Sequence, residues 1–272
     1  MESDMFCKLT PQDLKLLLQE QIAAAENAVT ALNCTSKLLN PHPECDGLPA
    51  DPVLREAVKE LYESSYTVLR QTARAKELLC YEEGTAKQLR CSLSKPIRRF
   101  ANQLAELIGT MNRVHVNEVD SGLCADIDPN RLTFLLLLAA LELLSTGSPE
   151  DTLSVSAGIS EGCVQIELLL ETADDSEMLE IPCPMVDQLI MQRFCVTYHA
   201  RIFRVKRAGK RSLLIELPQK DAGDGGVLRV SSDKKPYEES VFSVYRVLLS
   251  EILPVTDDLF AGKPEFDDRY TL

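Results

Sequence analysis

The stretch from residue 128 to 218 places the strongest constraint on the fold, because helical and strand patterns alternate along it in a clear order. It opens with D-P-N-R-L and runs directly into an apolar helical segment. Apolar residues that recur about every 3.6 residues then indicate helices, and apolar residues at every second position indicate strands. In chain order these are a helix over 132–144, strands over 153–159 and 163–170, a helix over 185–198, and strands over 202–206 and 212–217. This order predicts an α+β fold in which helices cover one face of a mostly antiparallel sheet.

Composition narrows the class of protein. The 272 residues carry a formal net charge of -13, which argues against nucleic acid as a partner, since phosphate binding needs concentrated Lys and Arg. The longest apolar run, 134–141, stops at Glu142 and is far shorter than the about 20 residues that span a bilayer. Nine cysteines form no C-x-x-C pair, and there is no signal peptide. We therefore expect a cytoplasmic protein with reduced thiols, no metal site and no membrane contact.

Two long amphipathic helices are predicted before this stretch. From residue 11 to 39, seam positions recur in alternating steps of four and three, which is a heptad pattern. A Pro-rich break over 40–49 ends the first helix. Asp51 and Pro52 open a second helix with the same spacing, and Gly84 ends it. Two matched helices joined by a loop predict an antiparallel hairpin.

A hairpin with one apolar stripe needs something to cover that stripe. Burying each large seam side chain contributes roughly 1.5–3 kcal/mol, whereas ordering costs roughly 1–2 kcal/mol per backbone residue. The hairpin alone should therefore be marginal. We predict a homodimer through residues 11–83, in which two hairpins form a four-helix bundle. The alternative is that the seam packs on the carboxy-terminal part of the same chain.

These features together resemble the sensor histidine kinases, whose ATPase domain shares its fold with gyrase and the Hsp90 chaperones, the GHKL fold. The motif L-L-C-Y-E-E-G at 78–84 is similar to the family's usual ending of the second hairpin helix. A third helix over 96–111 and the D-P-N-R-L motif continue the match, which covers about residues 15–218. The resemblance implies a dimerisation and phosphoacceptor-like hairpin at 1–84, a degenerate ATPase domain of α/β sandwich type at 85–218, and a polar linker with an acidic tail at 219–272.

The phosphoacceptor expected from this resemblance is missing. In the family the first helix carries H-E-x-x-x-P, and here the His position falls at Ala23 and the Pro position at Ala28. Glu26 and Asn27 remain between them, but alanine cannot accept a phosphoryl group. A rival alignment places the H-E-x-x-x-P phosphoacceptor motif at 91–97, with Cys91 at the His position. It also lacks the histidine, and it leaves the earlier hairpin unexplained.

The nucleotide and Mg²⁺ ligands that the family would supply are also replaced. The Asn that holds Mg²⁺ falls near Leu143, which offers no oxygen ligand, and Glu142 beside it is interpreted as ordinary surface. In the family a D-x-G-x-G loop that binds adenine follows the strand at 163–170. Here the sequence over 171–182 reads E-T-A-D-D-S-E-M-L-E-I-P and has no glycine that would let the backbone approach a nucleotide closely. The family's glycine-rich lid is absent from this sequence, so we expect no backbone N–H groups at a glycine-rich helix start to bind the triphosphate. We expect no catalytic, cofactor-binding or metal-binding residue, although the family implies ATP and Mg²⁺.

A basic cluster stands out against the acidic total charge. The cluster lies on the hairpin predicted from 201 to 217 and comprises Arg201, Arg204, Lys206, Arg207, Lys210 and Arg211. It is interpreted either as a solvated turn or as a docking patch for an acidic partner. The candidate docking residues are Glu26 and Asn27 on the first helix and Arg204, Lys206 and Arg207 on the hairpin.

Three functional hypotheses follow from these residues. The first is a catalytically inactive pseudo-histidine kinase that acts as a dimeric regulatory or scaffold module in bacterial two-component signal transduction, with a response regulator or an active histidine kinase as partner. The second is a divergent ATP-binding sensor histidine kinase with an unrecognised nucleotide site. The third is a phosphotransfer protein without ATP binding, for which His42 in the Pro-rich loop is the nearest imidazole.

Overall fold

The computed structural model describes residues 52–108, 114–145, 147–148, 150–172, 183–207, 209–220 and 243–253, together with Ile22 and Ala25. The chain divides into two compact units. The first unit comprises Met1–Leu79 with Pro254–Leu272, and the second unit comprises Cys80–Leu253. The expected boundary at residue 84 lies five residues beyond this division.

The first unit contains most of helix α1 (Pro52–Glu82), the predicted second helix of the hairpin. Ser65 and Thr72 of the predicted seam are buried. Their hydroxyls donate to the carbonyl oxygens of Leu61 and Val68, one turn earlier, at 2.7 and 2.8 Å. This local bonding lets a polar side chain occupy a buried helix position. The first helix of the hairpin, apart from Ile22 and Ala25, lies outside the described residues, so the hairpin and the dimer remain predictions.

The second unit contains the α+β layer that the sequence predicts. After α1 its elements are, in order, β1 (Arg90–Ser92), α2 (Ser94–Ile108), β2 (Val114–Val119), β3 (Cys124–Asp126), α3 (Pro129–Leu144), β4 (Thr152–Ser160), β5 (Cys163–Glu171), α4 (Met185–Tyr198), β6 (Arg201–Arg207), β7 (Lys210–Pro218) and α5 (Val244–Leu249). None of these described helices is long and apolar enough to cross a membrane.

A five-stranded sheet in the order β2-β4-β5-β7-β6 organises the unit. The pair β2–β4 is parallel and the other three pairs are antiparallel, so the sheet is mixed and mostly antiparallel, as predicted. Alternate residues of the central strands are fully buried beneath the helices, as the strand period requires. These residues are Leu153 and Val155 on β4, Val164, Ile166, Leu168 and Leu170 on β5, and Leu213, Ile215 and Leu217 on β7.

Helix α3 is the centre of the core. Asp128 caps its first turn, since its Oδ1 accepts from the backbone N–H of Asn130 at 2.9 Å, and Pro129 occupies the first turn. The D-P-N-R-L motif is therefore a helix start. Twelve of the sixteen residues of α3 are buried, which fits a helix that is apolar on all sides.

The short helix α5 explains why α3 is apolar on the side away from the sheet. It packs against α3 and α2, and its Tyr245 ring lies 6.2 Å from the ring of Phe100, measured between centroids. Leu248 and Leu249 of α5 are fully buried. The segment assigned from sequence to linker and tail therefore contributes a helix to the core of the second unit.

The structure argues against the alternative alignment, in which the phosphoacceptor motif lies at residues 91–97. Cys91 lies on strand β1, which pairs with β3 in a small antiparallel sheet, and it is 1% exposed. Burial raises the pKa of the Cys91 thiol to about 11, with further contributions from Asp128 and Asp126. A buried neutral thiol on a strand cannot serve as a solvent-exposed acceptor on a helix.

Candidate functional site

A cleft of about 880 Å³ lies on the helix side of the sheet, between the end of α3, one face of α4 and the β6–β7 hairpin. Its lining mixes apolar, polar and charged side chains. They are Glu142 and Leu143 of α3, Cys183, Gln188, Met191, Gln192 and Cys195 before and along α4, and Ile202, Arg204, Val205, Lys206, Arg211, Ser212 and Leu213 of the hairpin. Such a concave, partly apolar surface with a few convergent polar groups is the usual form of a ligand site.

Contacts in the second half of α4 and at its C-terminal end fix the helix that forms one wall of the cleft. Arg193 pairs with Glu82 at 2.8 Å, and the side-chain amide of Gln88 donates to the carbonyl oxygen of Thr197 at 2.7 Å. His199 ends the helix in the left-handed conformation, with φ of 53°. This backbone geometry gives His199 a structural role as a helix terminator.

An ion pair crosses the cleft from α3 to β6. Arg204 Nε lies 2.5 Å from Glu142 Oε1, and Arg204 Nη2 lies 2.8 Å from Glu142 Oε2. Both carboxylate oxygens are therefore engaged by one guanidinium, the two-pronged geometry that makes such pairs strong. The Glu142 side chain is only 16% exposed, so its interpretation as ordinary surface is wrong. The hydrogen bond that Arg204 donates to Glu142 helps to raise the pKa of Arg204 above its usual value.

Two cysteines line the same cleft beside this ion pair. Burial raises the pKa of Cys183 to about 12, and the Glu142 carboxylate raises it further because it disfavours a neighbouring thiolate. Burial also raises the pKa of Cys195, while Arg204 lowers it. Both thiols are therefore protonated at neutral pH, which makes them poor nucleophiles and poor metal ligands.

The described lining of the cleft offers Mg²⁺, which the family resemblance implies, a single carboxylate that is already paired with Arg204. Among the described lining residues, Glu142 is the one carboxylate, and Arg204 holds both of its oxygens. Magnesium requires several oxygen ligands in octahedral geometry. Leu143, at the expected position of the Mg²⁺-binding Asn, is buried and apolar. A metal ion here would have to displace Arg204 and would find no second carboxylate in the described lining.

The structure divides the basic cluster that the sequence suggests as a docking patch. Since strand residues alternate between faces, Arg204 and Lys206 face the cleft, whereas Arg201 and Arg207 project from the opposite face. Arg201 pairs with Glu216 at 2.8 Å, and Arg204 pairs with Glu142. The hairpin therefore presents two smaller basic surfaces, each already partly neutralised by an acidic neighbour.

The remaining candidates belong to the first helix that the sequence predicts. Ala23, Glu26, Asn27 and Ala28 fall outside the described residues, so their predicted roles remain predictions. Sequence reasoning did not find the Glu142–Arg204 pair, because 62 residues separate the two side chains. The one available signal was that Glu142 is the only acidic residue of α3 and interrupts its long apolar run.

Comparison with known proteins gives fold-level similarities only. No protein-family model and no curated protein matches the chain. Among solved structures, the catalytic domain of histidine kinase ThkA aligns at 13% identity over 49% of this chain and 96% of its own, with a TM-score of 0.40. The histidine kinase AdeS of Acinetobacter baumannii aligns at 9% identity over 71% and 98%, with a TM-score of 0.47.

Full-length ShkA, solved in complex with AMPPNP, aligns at 16% identity over 79% of this chain and 47% of its own, with a TM-score of 0.49. ThkA and AdeS are histidine kinases.

Proposed function

We propose that this protein is a catalytically inactive histidine kinase-like protein that acts as a dimeric regulatory or scaffold module in bacterial two-component signalling. The proposed partner is a response regulator or an active histidine kinase, bound through protein surfaces. The sequence supports this proposal through the D-P-N-R-L helix start, the predicted amino-terminal hairpin and the replaced phosphoacceptor at Ala23.

The arrangement of Glu142 and Arg204 carries the proposal. In the cleft between α3, α4 and the β6–β7 hairpin, the one described carboxylate is bound by a guanidinium. Phosphoryl transfer from ATP depends on metal ions that bridge and neutralise the phosphate oxygens. A cleft whose carboxylate is already committed, and whose neighbouring helix position is the buried Leu143, lacks the oxygen set for that chemistry.

A phosphorylation assay tests the inactive state. The full chain is incubated with Mg²⁺ and ATP labelled at the γ-phosphate, beside an active histidine kinase as positive control. We expect no label on this chain and strong label on the control. Label retained on residues 1–84 would contradict the proposal and would favour the divergent kinase, for which the size of the cleft leaves room.

Binding to purified response regulators tests the partner. Capture from the native lysate first identifies a regulator or kinase, and affinity is then measured with purified proteins. Arg207→Glu and Lys206→Glu probe the two faces of β6, and Lys95→Glu is the control, because Lys95 is an exposed cation at the start of α2. We expect weaker binding for at least one hairpin variant and unchanged binding for the control. Equal affinities for all variants would exclude the hairpin as the docking surface.

A further inference from the structure

We infer that the exposed face of helix α4 is an interface at which two copies of this chain associate, with their α4 helices antiparallel. This face is a stripe of exposed residues, here called the α4 stripe, on the side of the helix opposite its buried residues. The stripe comprises Met185, Leu189, Gln192 and Val196. The inference goes beyond the proposed function, which places the dimer on residues 11–83.

Exposed apolar side chains are concentrated on α4. Of the eight large apolar side chains that are exposed in the described part of the chain, four belong to this 14-residue helix. They are Met185, Val186, Leu189 and Val196, and the exposed fractions of Met185 and Val196 are 84% and 67%. A surface helix normally presents polar residues to water. An apolar patch of this kind indicates a surface that binds a partner.

The spacing of the α4 stripe is suited to packing against another helix. Its residues follow each other in steps of four, three and four, which is the repeat of a coiled-coil seam. The buried apolar side chains of α4 lie on the opposite side of the helix, and they are Ile190, Met191, Phe194 and Tyr198. Pairing through the stripe therefore leaves the contacts of α4 with the core intact.

The α4 stripe is complementary to itself, because steps of four, three and four read the same in both directions. When two α4 helices run antiparallel, Met185 lies opposite Val196 of the second copy, and Leu189 lies opposite Gln192 of the second copy. The positive N-terminus of each helix then lies beside the negative C-terminus of the other, which is favourable. Contact of one patch with itself about a two-fold axis is the usual interface of symmetric dimers.

The charge of this face favours a second copy as its partner. The chain carries a formal net charge of -13, so two copies repel each other unless they meet through a face without net charge. Helix α4 has two charged residues, of which Asp187 is buried and Arg193 pairs with Glu82 at 2.8 Å. The face therefore does not attract a strongly charged partner, and two copies approach here with little local repulsion.

The size of the face determines the strength of the association. A helix of 14 residues is about 21 Å long, so one of its faces offers less than the about 800 Å² that each partner contributes to a standard interface. The helix is already folded, so pairing needs little additional ordering. We expect weak, reversible association that increases with protein concentration and with salt, because salt screens the repulsion between the acidic copies.

Sedimentation equilibrium of the full chain over a range of concentrations tests the inference. The wild type is compared with Val196→Glu and with the control Ile159→Glu, which adds the same charge at a half-exposed apolar position of β4. We expect Val196→Glu to weaken the association by about tenfold or more, because pairing would bury its carboxylate against Met185. Ile159→Glu should leave the association nearly unchanged.

The measured masses separate this inference from the dimer of the proposed function. If residues 11–83 also form a dimer, the wild type associates beyond the dimer and Val196→Glu remains a dimer. If residues 11–83 form no dimer, the wild type approaches a dimer and Val196→Glu remains a monomer, which contradicts the proposed function but supports the α4 interface. The same mass for the wild type and Val196→Glu at every concentration would overturn the inference and assign the stripe to a different partner.

Photo-crosslinking tests the antiparallel arrangement. The photoreactive residue p-benzoylphenylalanine replaces Met185 in isotopically labelled chain, which is mixed with unlabelled wild type. We expect mixed-isotope crosslinks to the tryptic peptide 194–201, which contains Val196. Positions 185 and 196 are about 16 Å apart within one helix, so a contact inside one chain does not explain such a crosslink. Crosslinks only to residues around 185 of the second copy would overturn the antiparallel arrangement.

Far-UV circular dichroism establishes that each variant is folded. Met185→Glu replaces Val196→Glu if that variant unfolds, because Met185 is the most exposed apolar side chain of α4 and lies at its first residue. We expect the same loss of association from it. Association of the folded Met185→Glu variant equal to that of the wild type would overturn the inference.

Discussion

At the residue scale, the environment of Glu142 determines the chemistry of the cleft. Its two oxygens accept hydrogen bonds from Arg204, and its charge acts on the thiol of Cys183. The same position on a solvated helix end would be an ordinary surface acid. The difference arises because α3 is buried on nearly all sides, which brings its one acidic residue against β6.

The reactivity of Cys183 follows from this arrangement. Burial and Glu142 raise the pKa of Cys183 to about 12, so that little thiolate is present at pH 8.5. We expect slow alkylation of Cys183 by iodoacetamide in the folded wild type and faster alkylation in Glu142→Gln, since loss of the carboxylate lowers this pKa. Peptide mass spectrometry over a time course measures the rate at each cysteine.

Cys195 is the internal reference for that experiment. Burial raises its pKa and Arg204 lowers it, but Glu142 is not among the causes. Its alkylation rate should therefore change much less than that of Cys183. Equal rates for Cys183 in the wild type and in the variant would show that Glu142 does not control this thiol.

At the scale of elements, local signals in the sequence were sufficient for most of the second unit. The helix over 185–198 occurs at the expected residues, and the strands predicted over 153–159 and 163–170 lie within β4 and β5, because their apolar periods are regular. The small β1–β3 sheet was not predicted, since a strand of three residues is too short to show the alternation of apolar and polar residues that identifies a strand. The cleft could not be predicted either, because the Glu142–Arg204 contact depends on how distant elements pack.

The cap of α3 gives a test at this scale. Asp128 Oδ1 accepts the backbone N–H of Asn130, so Asp128→Ala removes a bond that the first turn needs. We expect the free energy of unfolding to fall by about 1 kcal/mol, within a range of about 0.5–2 kcal/mol. Urea denaturation followed by circular dichroism measures the change.

Asp128→Asn is the control for the cap, since an asparagine oxygen can accept the same hydrogen bond. Its free energy of unfolding should stay close to the wild-type value. If both substitutions destabilise the protein equally, the negative charge of Asp128 rather than its capping bond is the cause.

At the scale of the whole molecule, alkaline pH should destabilise the fold. Burial raises the pKa of Cys91 to about 11 and that of Cys183 to about 12, and it raises the pKa of Tyr245 as well. A folded pKa above the unfolded value contributes stability that is fully present below the unfolded pKa. For the thiols, that contribution is lost as pH rises from about 9 towards 11 and 12.

Urea denaturation at pH 7.5 and pH 10.5 measures this dependence. We expect a lower midpoint at the higher pH, and a smaller loss for Cys91→Ala than for the wild type, once each is compared with its own value at pH 7.5. An unchanged midpoint would show that these buried groups titrate alike in the folded and unfolded chain.

We propose that the molecule as a whole does not bind Mg²⁺–ATP, although the order of its helices and strands resembles that of the histidine kinase ATPase domain. Calorimetric titration of the full chain with Mg²⁺–ATP tests this claim most directly. We expect no saturable heat at millimolar nucleotide for the wild type. Saturable binding near one nucleotide per chain, abolished by a bulky substitution at Leu143, would contradict it.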